Sequence, residues 1–106
     1  MSRREMLEAF VQQHPDDAFA RYGLAMEIMG AGDAPAALEQ FALLRQRHPD
    51  YPAAYHQEGQ LLLRLGRADD ARSVLEHGVE AAQRRGDAHA GSEMQALLEE
   101  IGNGRL

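Results

Sequence analysis

A period of 34 residues is the feature of this sequence that most constrains how the chain can fold. The tripeptide His14-Pro15-Asp16 recurs 34 residues later as His48-Pro49-Asp50. Four further small residues repeat at the same offset: Ala20 and Ala54, Gly32 and Gly66, Ala34 and Ala68, and Ala37 and Ala71. A period of this length is typical of proteins that stack copies of one small structural unit along the chain. We therefore expect a repeat protein.

Prolines and glycines divide each period into two segments. Pro15 and Pro49 lack a backbone N–H donor and mark breaks between helices. Gly32 and Gly66 follow stretches in which apolar residues recur at helical spacing, and helices commonly end at a residue with positive φ. The intervening residues favour helices, because Ala is frequent and only five β-branched residues occur in the chain. The pattern predicts six helices, at residues 2–13, 17–30, 34–47, 52–65, 68–84 and 87–102.

Composition and charge narrow the function classes. The formal net charge of −6 gives no electrostatic reason to expect nucleic-acid binding. Cysteine is absent, so the sequence offers no disulfide framework, thiol nucleophile or thiolate metal site. No stretch approaches the roughly 20 apolar residues of a membrane span, and no secretory signal is recognisable. We expect no nucleic-acid partner, no membrane partner and a cytoplasmic location.

The side chains that could carry chemistry have structural explanations. The five histidines include no pair three or four residues apart, so we expect no metal and no cofactor. No arrangement of Ser, His and Asp suggests a nucleophile, and we expect no catalytic residue and no enzyme activity. His-Pro-Asp is also the signature of J-domain co-chaperones. Here both copies lie at expected helix boundaries one period apart, which favours a helix stop followed by a cap.

The helical pattern resembles the tetratricopeptide repeat, a helix–turn–helix unit of 34 residues. With Ala18 and Pro52 as first positions, two copies carry residues of the family signature. These are Leu24, Ala25, Ile28, Gly32, Ala37, Phe41, Leu44 and Pro49 in the first copy and Tyr55, Gly59, Leu62, Gly66, Ala71 and Leu75 in the second. The resemblance implies an all-α fold, a short right-handed α-solenoid of antiparallel helix pairs. It implies a single domain over residues 1–106, with a half repeat at 1–16, repeats at 17–50 and 51–86, and a capping helix and tail at 87–106.

Some positions depart from the family pattern. Arg21 stands where the family usually has a large aromatic residue, and Glu58 stands where it usually has Leu. The second copy lacks the closing proline, so we expect its second helix to run on to Arg84 and Arg85 before Gly86 stops it. At the end of a helix these two arginines would complement the negative end of the helix dipole.

The resemblance also implies a function. Such proteins are interaction modules in which the first helix of each pair lines a concave groove that binds a peptide or a protein. The groove positions of the family correspond to Phe19, Tyr22, Met26 and Met29 in the first repeat and to Ala53, His56, Gln60 and Leu63 in the second. The alternative is a structural, self-associating protein. Such a homo-oligomer would form through the closing helix or through apolar residues of the first helix, namely Leu7, Phe10 and Val11.

Overall fold

The computed structural model describes all 106 residues and contains six α-helices and no strand. They are α1 (Arg3–Gln13), α2 (Ala18–Gly30), α3 (Ala34–Arg47), α4 (Pro52–Arg64), α5 (Ala68–Arg85) and α6 (Ala88–Gly102). Every helix predicted from the sequence is present, with each end within one residue of its predicted position. The all-α prediction is confirmed.

Side chains at the helix starts explain why the boundaries could be found. Asp17, Asp33 and Asp87 each accept a hydrogen bond from the backbone N–H three residues later, as N-cap residues do. Ser2 and Glu5 form a reciprocal capping box at the start of α1. The backbone N–H of Ser2 donates to Glu5 Oε1 at 3.0 Å, and Ser2 Oγ accepts from the backbone N–H of Glu5 at 3.1 Å. The hydrogen bonding with Ser2, above all from its backbone N–H, lowers the pKa of the Glu5 carboxyl.

The helices end in two different ways. After α2, α4, α5 and α6 comes a glycine with positive φ: Gly32 at 87°, Gly66 at 75°, Gly86 at 72° and Gly104 at 69°. The residue after each glycine donates its N–H to a carbonyl in the last turn of the helix, which closes a Schellman turn. In contrast, α1 and α3 end at His14 and His48, whose backbone angles are nearly identical at φ −129°, ψ 66° and φ −132°, ψ 74°. The repeated His-Pro-Asp sequence therefore produces a repeated local structure.

Unit 1, Met1–His48, contains α1, α2 and α3. Within it α2 packs against both of the other helices. Its buried residues lie at helical spacing along the three helices: Val11, Ala20, Arg21, Leu24, Ala25, Ile28, Ala37, Phe41 and Leu44. Phe41 and Leu44 have no exposed surface at all. Six of the eight signature residues of the first repeat thus lie in this core, whereas Gly32 is exposed and Pro49 lies outside the unit.

Unit 2, Pro49–Leu106, contains α4, α5 and α6, with α5 packed against the other two helices. Two glycines permit the helices to approach closely. A Cβ atom on Gly59 would lie 2.5 Å from Leu75 Cδ2, and one on Gly78 would lie 2.6 Å from Tyr55 Cβ. The second copy therefore follows the rule that helices touch where one of two facing side chains is absent. α5 ends at Arg85 and Gly86 follows with φ 72°, as the missing proline predicts.

Candidate protein-binding surfaces

The four groove residues predicted on α2 lie on one face of that helix. Phe19, Tyr22, Met26 and Met29 are three or four residues apart, a spacing that aligns side chains along one side. Phe19 is 79% exposed, and the other three are half-buried. The structure thus brings these residues together in unit 1 and keeps all of them out of the core. We call this set the α2 row.

Tyr22 joins the α2 row to the core beneath it. Its ring meets Phe41 edge to face, with centroids 6.4 Å apart. Such a geometry is favourable for aromatic pairs and restrains the tyrosine ring. An aromatic residue held in this way can contact a ligand without losing much side-chain freedom on binding.

The residues predicted on α4 form a second, more polar row. His56, Gln60 and Leu63 are four and three residues apart, and each is half-buried, as is Ala53 one turn before His56. Imidazole and amide groups can donate and accept hydrogen bonds, which suits polar groups of a bound chain. We call these residues the α4 row.

The first helix exposes an apolar surface that agrees with the sequence prediction at two of its three residues. Phe10 is 44% exposed and Leu7 is half-buried, but Val11 is only 7% exposed and belongs to the core. Val11 is therefore wrong as a surface residue, because its side of α1 faces inward in unit 1. Met6, which the sequence analysis passed over, is 53% exposed one turn before Phe10. The spacing of four residues between Met6 and Phe10 is the signal that could have found it.

A cleft between α5 and α6 in unit 2 was not predicted. Its volume is about 420 Å³, and the residues that line it are small or polar: Val79, Ala82, Gln83, Gly86, Asp87, Ala88, Gly91, Ser92 and Gln95. Gly91 contacts α5 at an ordinary distance, since a Cβ atom placed on it would lie 3.5 Å from Ala82 Cβ. The signal in the sequence is the run of Ala and Gly on both helices, which equally suits close helix packing.

Arginines hold both His-Pro-Asp turns. In unit 1 Arg47 Nη1 lies 3.4 Å from both the Pro15 carbonyl oxygen and Asp16 Oδ1. In unit 2 Arg84 Nε donates to Asp50 Oδ1 at 2.6 Å and its Nη2 donates to the Pro49 carbonyl at 3.0 Å. The hydrogen bond to Asp50 raises the pKa of Arg84. The proline carbonyl and the aspartate carboxylate of each turn are thus engaged within their own unit, whereas Nε2 of His48 is buried without a hydrogen-bond partner.

Arg21 is the buried charge of unit 1. It is only 7% exposed; its Nη1 donates to Gln40 Oε1 at 3.1 Å and its Nη2 to the Pro15 carbonyl at 3.3 Å. Its Nε is buried without a hydrogen-bond partner. Burial lowers the pKa of this guanidinium, and the nearby charge of Arg47 acts in the same direction while Asp16 opposes it.

The helices contain no group of three His, Cys, Asp or Glu side chains that could hold a metal ion. None of the six helices is both long enough and apolar enough to cross a bilayer.

Comparison with known proteins places these surfaces on a familiar fold. A sequence model of the tetratricopeptide repeat matches residues 29–101. The TPR repeat-containing protein PA0015 of Pseudomonas aeruginosa is 31% identical over 101 residues, which are 95% of this chain and 96% of that protein. A tetratricopeptide repeat domain protein from Salinibacter ruber, solved by NMR, superposes with a TM-score of 0.78 at 37% identity over 82% of this chain and 88% of that one.

A third solved structure extends the likeness in fold. PcrH in complex with the chaperone binding region of PopD superposes with a TM-score of 0.87 over 97% of this chain and 78% of that one, at 18% identity. At that identity the likeness concerns the fold alone. Together these matches confirm the all-α solenoid of helix pairs that the sequence predicted.

Proposed function

The chain belongs to the tetratricopeptide repeat family, and on that basis we propose that it is a non-catalytic module that binds a peptide or protein segment on the α2 row. Tetratricopeptide repeats generally mediate protein–protein interactions. The α4 row is proposed as a second contact surface that offers hydrogen bonds rather than apolar area. No cofactor or metal takes part in this function.

The observation that carries the proposal is the exposure of Phe19. A phenylalanine that is 79% exposed contributes little to the stability of its own unit, yet it stands beside Tyr22 and Met26 on one face. Contiguous apolar residues of this kind mark interaction surfaces. Aromatic residues serve as anchors in interfaces and methionine adapts its shape to different partners. We therefore propose that the ligand is an extended or helical segment with large apolar side chains.

The comparison with PcrH supports the same class of partner. That protein was solved with a segment of another polypeptide, the chaperone binding region of PopD. A chain of this fold can thus hold a polypeptide segment. Because the α2 row is short, we expect an affinity in the micromolar range, which corresponds to about −8 kcal/mol.

The first prediction tests the α2 row directly. Peptides selected from a random library on the full-length protein should be rich in large apolar residues, and Phe19→Ser should weaken their binding by about tenfold or more in titration calorimetry. The matched control is Leu65→Ser, since Leu65 is another exposed apolar residue, at 45%, but lies outside the row. Equal losses for the two variants would contradict the proposal.

A second candidate function is self-association, which the exposure of Met6 and Phe10 on α1 favours. Neither residue is needed on the α2 row, so the two functions can be tested separately. Selected peptides that lose affinity with Phe10→Ser and keep it with Phe19→Ser would shift the ligand site to α1.

A further inference from the structure

The six helices fall into two types, and the types identify what α1 and α6 are. A Schellman turn with a positive-φ glycine ends α2, α4, α5 and α6, so this turn does not separate first helices from second helices. α6 is a helix of the first type by its order, since it directly follows α5, the second helix of the second pair. α1 is a helix of the second type, because it ends at His14 with nearly the same backbone angles as α3 at His48.

The surface of α1 differs from that of α3 at matching positions. Aligned on the His-Pro-Asp turns, Leu7 corresponds to Phe41 and Phe10 to Leu44. Phe41 and Leu44 are fully buried in a unit where α2 packs on α3, whereas Phe10 is 44% exposed. The part of α1 that would face the first helix of its own pair is therefore uncovered.

The cleft beside α6 shows the complementary feature. The fourth residue of each first-type helix is Arg21 in α2, Tyr55 in α4 and Gly91 in α6. In unit 2 the large Tyr55 packs on Gly78 of the second helix, so close that a Cβ atom on Gly78 would lie 2.6 Å from Tyr55 Cβ. In α6 the fourth residue is itself a glycine, and it lines a cleft of about 420 Å³. Such a helix has room for a large side chain on its partner.

Phe10 occupies the position on α1 that Gly78 occupies on α5 and Leu44 occupies on α3. A pairing of α6 with α1 would thus place Phe10 against Gly91. In this pair the large residue would lie on the second helix and the glycine on the first, the reverse of Tyr55 and Gly78. In an antiparallel pair the C-terminal end of α6, with Glu99 and Glu100, lies beside the N-terminal end of α1, with Arg3, Arg4 and Glu5. Within their own copy Arg3 pairs with Glu27 and Arg4 with Glu8 and Asp33, so the α6 carboxylates would compete for these arginines.

We propose that α1 of one copy of this protein docks in the α5–α6 cleft of a second copy, with Phe10 against Gly91, so that α6 and α1 form a helix pair like α2–α3. The contact joins two different surfaces, so it is a head-to-tail contact. It goes beyond the peptide-binding function and uses none of the α2 row. The two proposals can therefore be tested separately. Phe19→Ser should weaken peptide binding alone, whereas Phe10→Gln and Gly91→Gln should weaken assembly alone.

The first test is disulfide trapping between copies, which the absence of natural cysteine makes clean. A Phe10→Cys protein is mixed with a Gly91→Cys protein that carries a mass tag, and the mixture is oxidised. Because facing positions of this kind lie within disulfide reach, the mixed disulfide should form faster than either homodimeric one. The control replaces Phe10→Cys with Phe19→Cys, a more exposed position on α2. Equal yields of mixed disulfide from the two mixtures would overturn the proposal.

The second test follows assembly of the full-length protein by sedimentation equilibrium. Phe10→Gln removes the inserted ring, and Gly91→Gln fills the cleft, so each should weaken self-association by about tenfold or more. A mixture of the two variants should still form a one-to-one complex, because one intact α1 and one intact cleft remain. Circular dichroism melting of each variant verifies that the fold is retained, and Gly91→Gln replaces a helical glycine with a better helix former.

A third variant should act in the opposite direction. The eighth residue is small in the other first-type helices, Ala25 in α2 and Gly59 in α4, but it is Gln95 in α6. Gln95→Ala removes this bulk from the cleft and should strengthen assembly by several fold. The proposal is overturned if the parent protein stays monomeric at millimolar concentration. It is also overturned if neither Gly91→Gln nor Gln95→Ala changes the assembly, which is the result expected when two α1 helices contact each other.

Discussion

In unit 1 the carbonyl of Pro15 accepts hydrogen bonds from Arg21 and Arg47, whereas in unit 2 the carbonyl of Pro49 accepts them from Tyr55 and Arg84. Arg21 and Tyr55 occupy the same position of the repeat, one period apart. The tyrosine hydroxyl makes its bond at 2.8 Å, and the arginine makes its longer bond at 3.3 Å. The same local task is therefore performed by a neutral phenol in one unit and by a buried cation in the other.

Tyrosine and arginine at this position differ in how well their polar atoms are satisfied. Tyr55 packs its Cβ atom against Gly78, and its one polar side-chain atom donates to the Pro49 carbonyl. Arg21 brings five N–H donors into a buried place, where Gln40 and the Pro15 carbonyl engage two nitrogens and Nε stays without a partner. A buried donor without a partner costs free energy that a smaller neutral group would not. Unit 1 thus holds a larger electrostatic penalty at this position than unit 2.

The largest predicted effect concerns the core under the α2 row. Phe41→Ala should lower the free energy of unfolding by about 3–5 kcal/mol, because it removes a fully buried ring and leaves a cavity. The control is Phe19→Ala, the same substitution at a residue that is 79% exposed, which should change stability by less than about 1 kcal/mol. Urea unfolding measures both, and similar losses for the two variants would show that the buried and exposed aromatics of unit 1 are wrongly assigned.

A smaller effect should come from giving unit 1 the solution found in unit 2. Arg21→Tyr removes the buried cation and keeps a hydroxyl that can donate to the Pro15 carbonyl, so it should raise the free energy of unfolding by about 1 kcal/mol. The reverse change, Tyr55→Arg, should lower the free energy of unfolding, since Tyr55 is only 6% exposed and its hydroxyl already donates to the Pro49 carbonyl. Urea unfolding of both variants decides the matter. If Tyr55→Arg raised the free energy of unfolding, arginine rather than tyrosine would be the more stable residue at this position of the repeat.

The smallest predicted effect is at the start of α1, where a carboxylate takes part in the cap. The pKa of Glu5 is lowered from 4.5 in the folded chain, so its ionised form is favoured by folding. This contribution is complete above pH 4.5 and is lost as the pH falls through the lower folded value. The protection of the Glu5 and Met6 amides against hydrogen exchange should therefore weaken as the pH falls through this range. In Glu5→Gln, which has no carboxyl group at this position, the same amides should not show this pH dependence.

The helix boundaries could be predicted because the residues that set them act locally. Pro15, Gly32 and Asp33 determine their own backbone geometry and that of their immediate neighbours, and these effects are visible in the sequence. The closer packing of the second copy at Gly59 was equally visible, since the family signature requires a small residue there.

The surfaces were harder to predict because exposure depends on what lies opposite. Val11 and Phe10 are adjacent apolar residues of α1, and only the direction of α2 decides that one is buried and the other exposed. From the sequence, the only role expected for Arg84 is to complement the negative end of the helix dipole. In the structure Arg84 also donates a hydrogen bond to Asp50, 34 residues away. Contacts between distant residues of this kind have no local signature.

The extra length of α5 has a consequence for engineering the chain. α5 has 18 residues and α3 has 14, while the connection that follows shortens from residues 48–51 to residues 86–87. The start of α6 therefore comes 36 residues after that of α4, and the extra turn of α5 adds about 6 Å of helix. A designer who lengthened the protein by copying a 34-residue block after Gly86 would put the new helices out of phase. A modular extension should instead begin after residue 50, where the period is still intact.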